Sequence, residues 1–92
     1  MSVEFVWDLR KAVANARKHG VTFEEACTLF FDDLARIHDD PLHSLGEPRE
    51  LIVGLSVRHR LLVVSFTERD GMIRLISARQ ATRHERQDYE TR

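Results

Sequence analysis

The spacing of apolar positions changes several times along the chain, and each change marks an element. Leu9, Ala12, Val13 and Ala16 recur at i, i+3, i+4 and i+7, the spacing of one helix stripe. Asp8 can cap the start of that helix and Gly20 its end, and residues 3–6 before it form a short apolar edge strand. Phe23, Ala26, Cys27 and Phe30 repeat the stripe, and Thr22 with Glu25 makes a T-x-x-E capping box, so a second helix is expected from Phe23 to about Phe31. The two helices are expected to pair antiparallel on one face of a sheet.

The period then shortens. Residues 34–38 predict a strand, residues 39–48 a loop, and the nearly continuous apolar run 51–57 a strand from the middle of a sheet. Arg58-His59-Arg60 reads as a tight turn. Two β-branched-rich runs, 61–66 and 72–76, flank Glu68-Arg69-Asp70-Gly71, and Asp-Gly in that setting is a strong hairpin signal. Thr82 and Glu85 form a second capping box, opening a terminal helix in which only Tyr89 is apolar. The order β-α-α-β-β-β-β-α predicts one α+β domain over residues 1–92, with a mostly antiparallel sheet of four to five strands, an N-terminal helical pair and a C-terminal helix.

Composition narrows the class. Hydrophobic residues make up 42% and charged residues 32%, as in a soluble folded protein, and no apolar run approaches a membrane span. One cysteine, Cys27, cannot make an internal disulfide, and a cytoplasmic location is expected. Charge is divided: residues 1–57 carry a net −4 and residues 58–92 a net +3, with every base in the second part an arginine. Arginine pairs bidentately with phosphate, which turns attention to the second half. His38, Asp39, Asp40 and His43 are conceivable metal ligands, but their spacing matches no structural zinc pattern, so neither a metal nor a cofactor is expected.

Three segments taken together are recognisable: VEFVWDLRKAVANARKHGVTFEEA, DDPLHSLGEPRELIVGLS and RLLVVSFTERDGMIRLISARQATRHERQDYE. They resemble the BrnT family of toxins from bacterial type II toxin–antitoxin modules over almost the whole chain. The resemblance implies a RelE-like fold, an RNase activity that arrests translation, and neutralisation by a BrnA-type antitoxin. Promoter DNA would then be reached only through that antitoxin, and no membrane would be involved.

A metal-independent ribonuclease needs a base for the 2′-hydroxyl, an acid for the leaving oxygen, and cations for the charge on phosphorus. Arg79 is the first candidate for the last role, at the junction of the final strand and the Thr82-capped helix. Its alternative is a strand-end arginine paired with a carboxylate. Glu68, Lys18 and His19 are the acid–base candidates, against plain roles as a hairpin-end ion pair or helix-capping cations. Arg58, Arg60, Arg69 and Arg74 could hold flanking phosphates, and Tyr89 could stack on a base or simply pack its helix. The competing function is a catalytically silent module that holds an antitoxin and modulates promoter binding.

Overall fold

The computed structural model describes residues 3–40 and 48–91. A five-stranded sheet in the order β1-β5-β4-β3-β2 is formed by β1 (Glu4–Val6), β2 (Arg36–Asp39), β3 (Glu50–Leu55), β4 (Leu61–Arg69) and β5 (Met72–Gln80). Three pairings are antiparallel, but β1 lies parallel to β5, so the sheet is mixed. Helices α1 (Leu9–His19) and α2 (Phe23–Thr28), with a 3₁₀ turn at Leu29–Phe31, cover one face, and α3 (Arg83–Glu90) lies on the other.

The hairpin forms as its turn residues require. Asp70 and Gly71 both take positive φ, 54° and 79°, the two-residue turn whose twist matches the flanking strands. The strands run longer than the apolar runs suggest, because Thr67 to Arg69 and Arg79 to Gln80 keep pairing after hydrophobicity ends.

The main core packs Val21, Phe23, Ala26 and Leu29 from the helical layer on Ile52, Leu62, Val64, Phe66, Ile73, Leu75 and Ala78 of the sheet. Phe30 meets both Phe5 and Phe66 edge-on with ring centroids 5.1 Å apart, and Trp7 meets Phe23 at 5.8 Å. Gly54 sits where this layer comes closest; a Cβ there would lie 3.1–3.3 Å from Ala35, the Leu29 carbonyl and Asp32. That approach lets the Asp32 carboxylate accept from the Leu55 N–H at 2.8 Å, where β3 extends past the start of β2.

Helix α1 corrects the predicted stripe. Asp8 caps it as expected, accepting from the N–H groups of Arg10 and Lys11, and Gly20 ends it at φ 69°. The inward face, however, is Ala12, Asn15, Ala16 and His19, while Leu9 is 76% exposed and Val13 55%. Asn15 decides the rotation. Its amide donates to the carbonyls of Val21 (3.0 Å) and Ala78 (2.8 Å) and accepts from the Ala78 N–H (3.0 Å). β1 pairs only with Met72–Arg74, so the edge of β5 further along has no strand beside it, and one asparagine serves there instead.

The capping box of α2 is only half formed. Thr22 accepts from the Glu25 N–H, but the Glu25 side chain turns inward, where it is 6% exposed. It takes two hydrogen bonds from Arg60, through Nε at 2.9 Å and through Nη2, and one from the Ser56 hydroxyl at 2.7 Å. Arg60 also donates to the Gly20 carbonyl at 3.1 Å, so the β3–β4 turn, α2 and the end of α1 close on one ion pair. Hydrogen bonds from Arg60 hold the Glu25 carboxyl below its ordinary range against the effect of burial, with Ser56 and the charges of Arg60 and Arg58 adding to the shift.

Candidate active site on the open sheet face

The position of Arg79 depends on one irregularity. Ser65 pairs with Ser77 but the next residue, Phe66, pairs with Leu75, so Ile76 is an extra residue in β5. Without it Arg79 would share a face with Leu75 and point into the helical layer. With it Ala78 takes the core position, and Arg79 stands opposite Val63 on the other face.

Cross-strand partners then define rows on that face. One runs Arg36, Val53, Val63, Arg79 across β2, β3, β4 and β5, and the next runs His38, Leu51, Ser65, Ser77. Thr67, Arg74 and Val6 follow towards the hairpin, then Arg69, Met72 and Glu4. Helix α3 lies over the first row and is held at both ends. Arg79 donates to Glu85 through Nη1 at 2.8 Å and Nη2 at 2.9 Å, and Arg36 donates to the Thr91 carbonyl at 3.1 Å. Between them Tyr89 packs with Val53, Leu61 and Val63. The helix of low apolar content is thus secured by one aromatic ring and two arginines.

Beside α3 the face is open. A cavity of about 190 Å³ is lined by Arg36, His38, Leu51, Val53, Glu85, Asp88 and Tyr89. A second, of about 310 Å³, is lined by Asp40, Arg49, Leu51, Ser65, Ile76, Ser77 and Arg79. Leu51 belongs to both, and the two halves of the Arg79–Glu85 pair belong one to each, so the pair stands between them. A third depression, of about 250 Å³, is formed by Val6, Thr67, Arg69, Met72 and Arg74.

The electrostatics of the pair follow from its geometry. The Arg79 hydrogen bonds, partly offset by burial and helped by the Thr82 N–H and the Arg79 charge, hold the Glu85 carboxyl down at about 2. Glu85 also accepts from the Thr82 N–H at 2.8 Å while Thr82 accepts from the Glu85 N–H, completing the capping box. Arg79 therefore has a fixed direction, and its side chain remains 38% exposed toward the open face. An aimed guanidinium, hydroxyls and an imidazole can together bind a phosphate and move a proton.

The structure places Arg69, Arg74 and Arg79 on this face, the first two at the third depression and Arg79 at the second. It does not bring the others to them. Glu68 pairs with Ile73 and so points to the helical side of the hairpin end. Lys18 and His19 end α1, in the helical layer; Arg60 is tied to Glu25 there, and exposed Arg58 lies 3.9 Å from the same carboxylate. Tyr89, considered as a stacking surface, is 8% exposed, and its hydroxyl donates to Asp32 at 2.6 Å around the end of β2. Its ring is committed to packing.

Sequence reasoning missed Arg36, Arg49, Ser65 and Ser77 and considered His38 only as a metal ligand. Strand alternation in β2 places His38 and Asp39 on opposite faces, and His43 lies outside the described residues. Among the described residues, no cluster of three or more His, Cys, Asp or Glu side chains is placed to hold a metal. Cys27 is half-buried; burial, with the Glu24 charge adding, pushes its thiol up to about 11, which keeps it unreactive.

A small α+β domain with two helices on one sheet face and a third over part of the other has a counterpart among solved structures. The fold matches the crystal structure of the Brucella abortus ribonuclease toxin BrnT with a TM-score of 0.70 and 20% sequence identity, over 89% of this chain and 100% of that one. No curated protein matches the chain. The family model for BrnT, the ribonuclease toxin of type II toxin–antitoxin systems, matches residues 7–85. The chain belongs to that family, and membership implies an antitoxin as partner. No helix among the described residues is long and apolar enough to cross a membrane.

Proposed function

We propose that the open sheet face beside α3 is where this toxin cuts RNA, by a metal-independent route in which the 2′-hydroxyl gives up its proton and attacks the adjacent phosphorus while the P–O5′ bond breaks and the 5′-oxygen leaves protonated, giving a 2′,3′-cyclic phosphate and a 5′-hydroxyl. Arg79 stabilises the charge that develops on the phosphate oxygens, and Glu85 holds its guanidinium in one orientation. Arg74 and Arg69 engage phosphates further along the strand. His38, on the same face, is the group suited to proton transfer near neutrality. Cleavage of cytoplasmic mRNA in this way arrests translation, as in toxins of RelE-like fold. A BrnA-type antitoxin neutralises the chain and alone contacts promoter DNA.

The observation that carries this reading is the aimed guanidinium of Arg79 between two cavities lined by hydroxyls and an imidazole. The competing reading, a silent binding module, draws on the same bidentate pair as a purely structural tie. Purified protein incubated with RNA in excess EDTA separates the two. Cleavage is expected, and Arg79→Ala is expected to slow it by on the order of 10²-fold, the usual effect of losing one charge-stabilising donor. No cleavage by well-folded protein would favour the binding module.

A further inference from the structure

Helix α1 faces the sheet with its less apolar side. Ala12, Asn15, Ala16 and His19 point inward, while the two large apolar residues, Leu9 and Val13, point out and are 76% and 55% exposed. They lie one turn apart and, with Ala14, line a shallow depression of about 440 Å³ whose remaining lining residues are Arg10 and Arg17. Local pattern and fold disagree here, and such a conflict in an otherwise consistent domain marks a surface kept for something other than folding. The stripe is an apolar strip a little over one turn long, with Arg10 and Arg17, seven residues apart, in one row along the same side of it.

We infer that this face of α1 is where the antitoxin docks, through an amphipathic helix whose apolar stripe carries carboxylates along one border. An i, i+4 pair on one helix accepts the apolar face of another, and Arg10 and Arg17 select a partner with acids at the border of that face. A second copy of this chain fits poorly. A two-fold contact through the stripe would set Arg10 and Arg17 against their own counterparts, with like charges across a small apolar centre. RNA would find the guanidiniums but nothing to cover Leu9 and Val13. The inference rests on membership of a toxin–antitoxin family and not on the assignment of the cleavage site.

The test is binding of the cognate antitoxin to the double variant Leu9→Asp, Val13→Glu, followed by titration calorimetry. An acid beside the N-cap and a glutamate in mid-helix are both compatible with α1, and circular dichroism confirms folding. Affinity is expected to fall at least 30-fold, roughly two to three kcal/mol of lost apolar contact. Arg10→Glu with Arg17→Glu is expected to weaken binding and to flatten its salt dependence. RNA cleavage by either double variant without antitoxin should match wild type, so loss of binding with retained cleavage separates this surface from the site on the other face. Unchanged antitoxin affinity in the folded apolar variant would overturn the inference, as would wild-type self-association abolished by the variant while antitoxin binding persists.

Discussion

Arg79 and Glu85, six residues apart, join the last strand to the first turn of α3 through parallel hydrogen bonds of 2.8 and 2.9 Å. Their pairing sets the acid response of the fold. The Glu85 carboxyl titrates at about 2 in the folded protein against 4.5 without the fold, so the unfolded chain binds the proton more readily. The contribution is complete above the ordinary carboxylate range and disappears as pH falls from about 5 to 2. It is on the order of 1–2 kcal/mol once discounted for solvent screening at the part-exposed arginine. Urea unfolding of wild type and Glu85→Gln at pH 7, 5 and 3 checks this: the variant should be the less stable at pH 7, and the gap should close towards pH 3.

His38 shares a row with Ser65 and Ser77 on the face that carries Arg79. If it moves the proton, His38→Gln lowers the RNA cleavage rate by on the order of 10²-fold and removes one limb of the pH–rate profile. Binding of a non-cleavable 2′-deoxy oligonucleotide should stay within about threefold of wild type, because the imidazole makes at most one of several phosphate contacts. A parallel fall in affinity and rate would reassign His38 to binding.

Asn15 supplies three hydrogen bonds to the unpaired edge of β5 and to the α1–α2 junction. Asn15→Ala leaves the Ala78 N–H and two carbonyls without partners in a buried setting, at a cost of about 2–4 kcal/mol. Amide exchange at Ala78 should accelerate more than exchange at the β3–β4 pairs, which keep their own ladder.

Glu25 is the buried anion of the helical layer. Removing it in Glu25→Ala leaves the Arg60 guanidinium without its ionic partner, holding only the Gly20 carbonyl, and takes the acceptor from the Ser56 hydroxyl, so a loss of about 3 kcal/mol is expected. Glu25→Gln keeps one acceptor and the shape, so its loss should be about half as large. Thermal unfolding of the two variants at pH 7 ranks them, and an equal effect would show that shape rather than charge matters at this position.

Local chemistry was legible from the chain. Asp8, Gly20, Thr82 with Glu85, and Asp70-Gly71 act through neighbours two to four residues away, and each forms the cap or turn its spacing implied. Features set by distant partners were not. The rotation of α1 depends on Ala78, 63 residues beyond Asn15, and the inward turn of Glu25 depends on Arg60, 35 residues on. The parallel pairing of β1 is likewise a tertiary choice, because Glu4–Val6 is too short to declare its partner. Within the site, Arg79, Arg74 and Arg69 stood out as bases on a hairpin, but His38 stood out only as a conceivable metal ligand until the register of β2 against β3 was known.

Ile76 has a consequence for relatives of this chain. Side-chain direction along a strand follows odd and even numbering, and one inserted residue reverses that parity for everything downstream. A single-codon deletion between Leu75 and Ser77 would leave every functional amino acid in the protein yet send Arg79 into the oily side of the sheet and Ala78 out to water. Alignments that place a gap carelessly there would declare the arginine retained in sequences where it has changed sides.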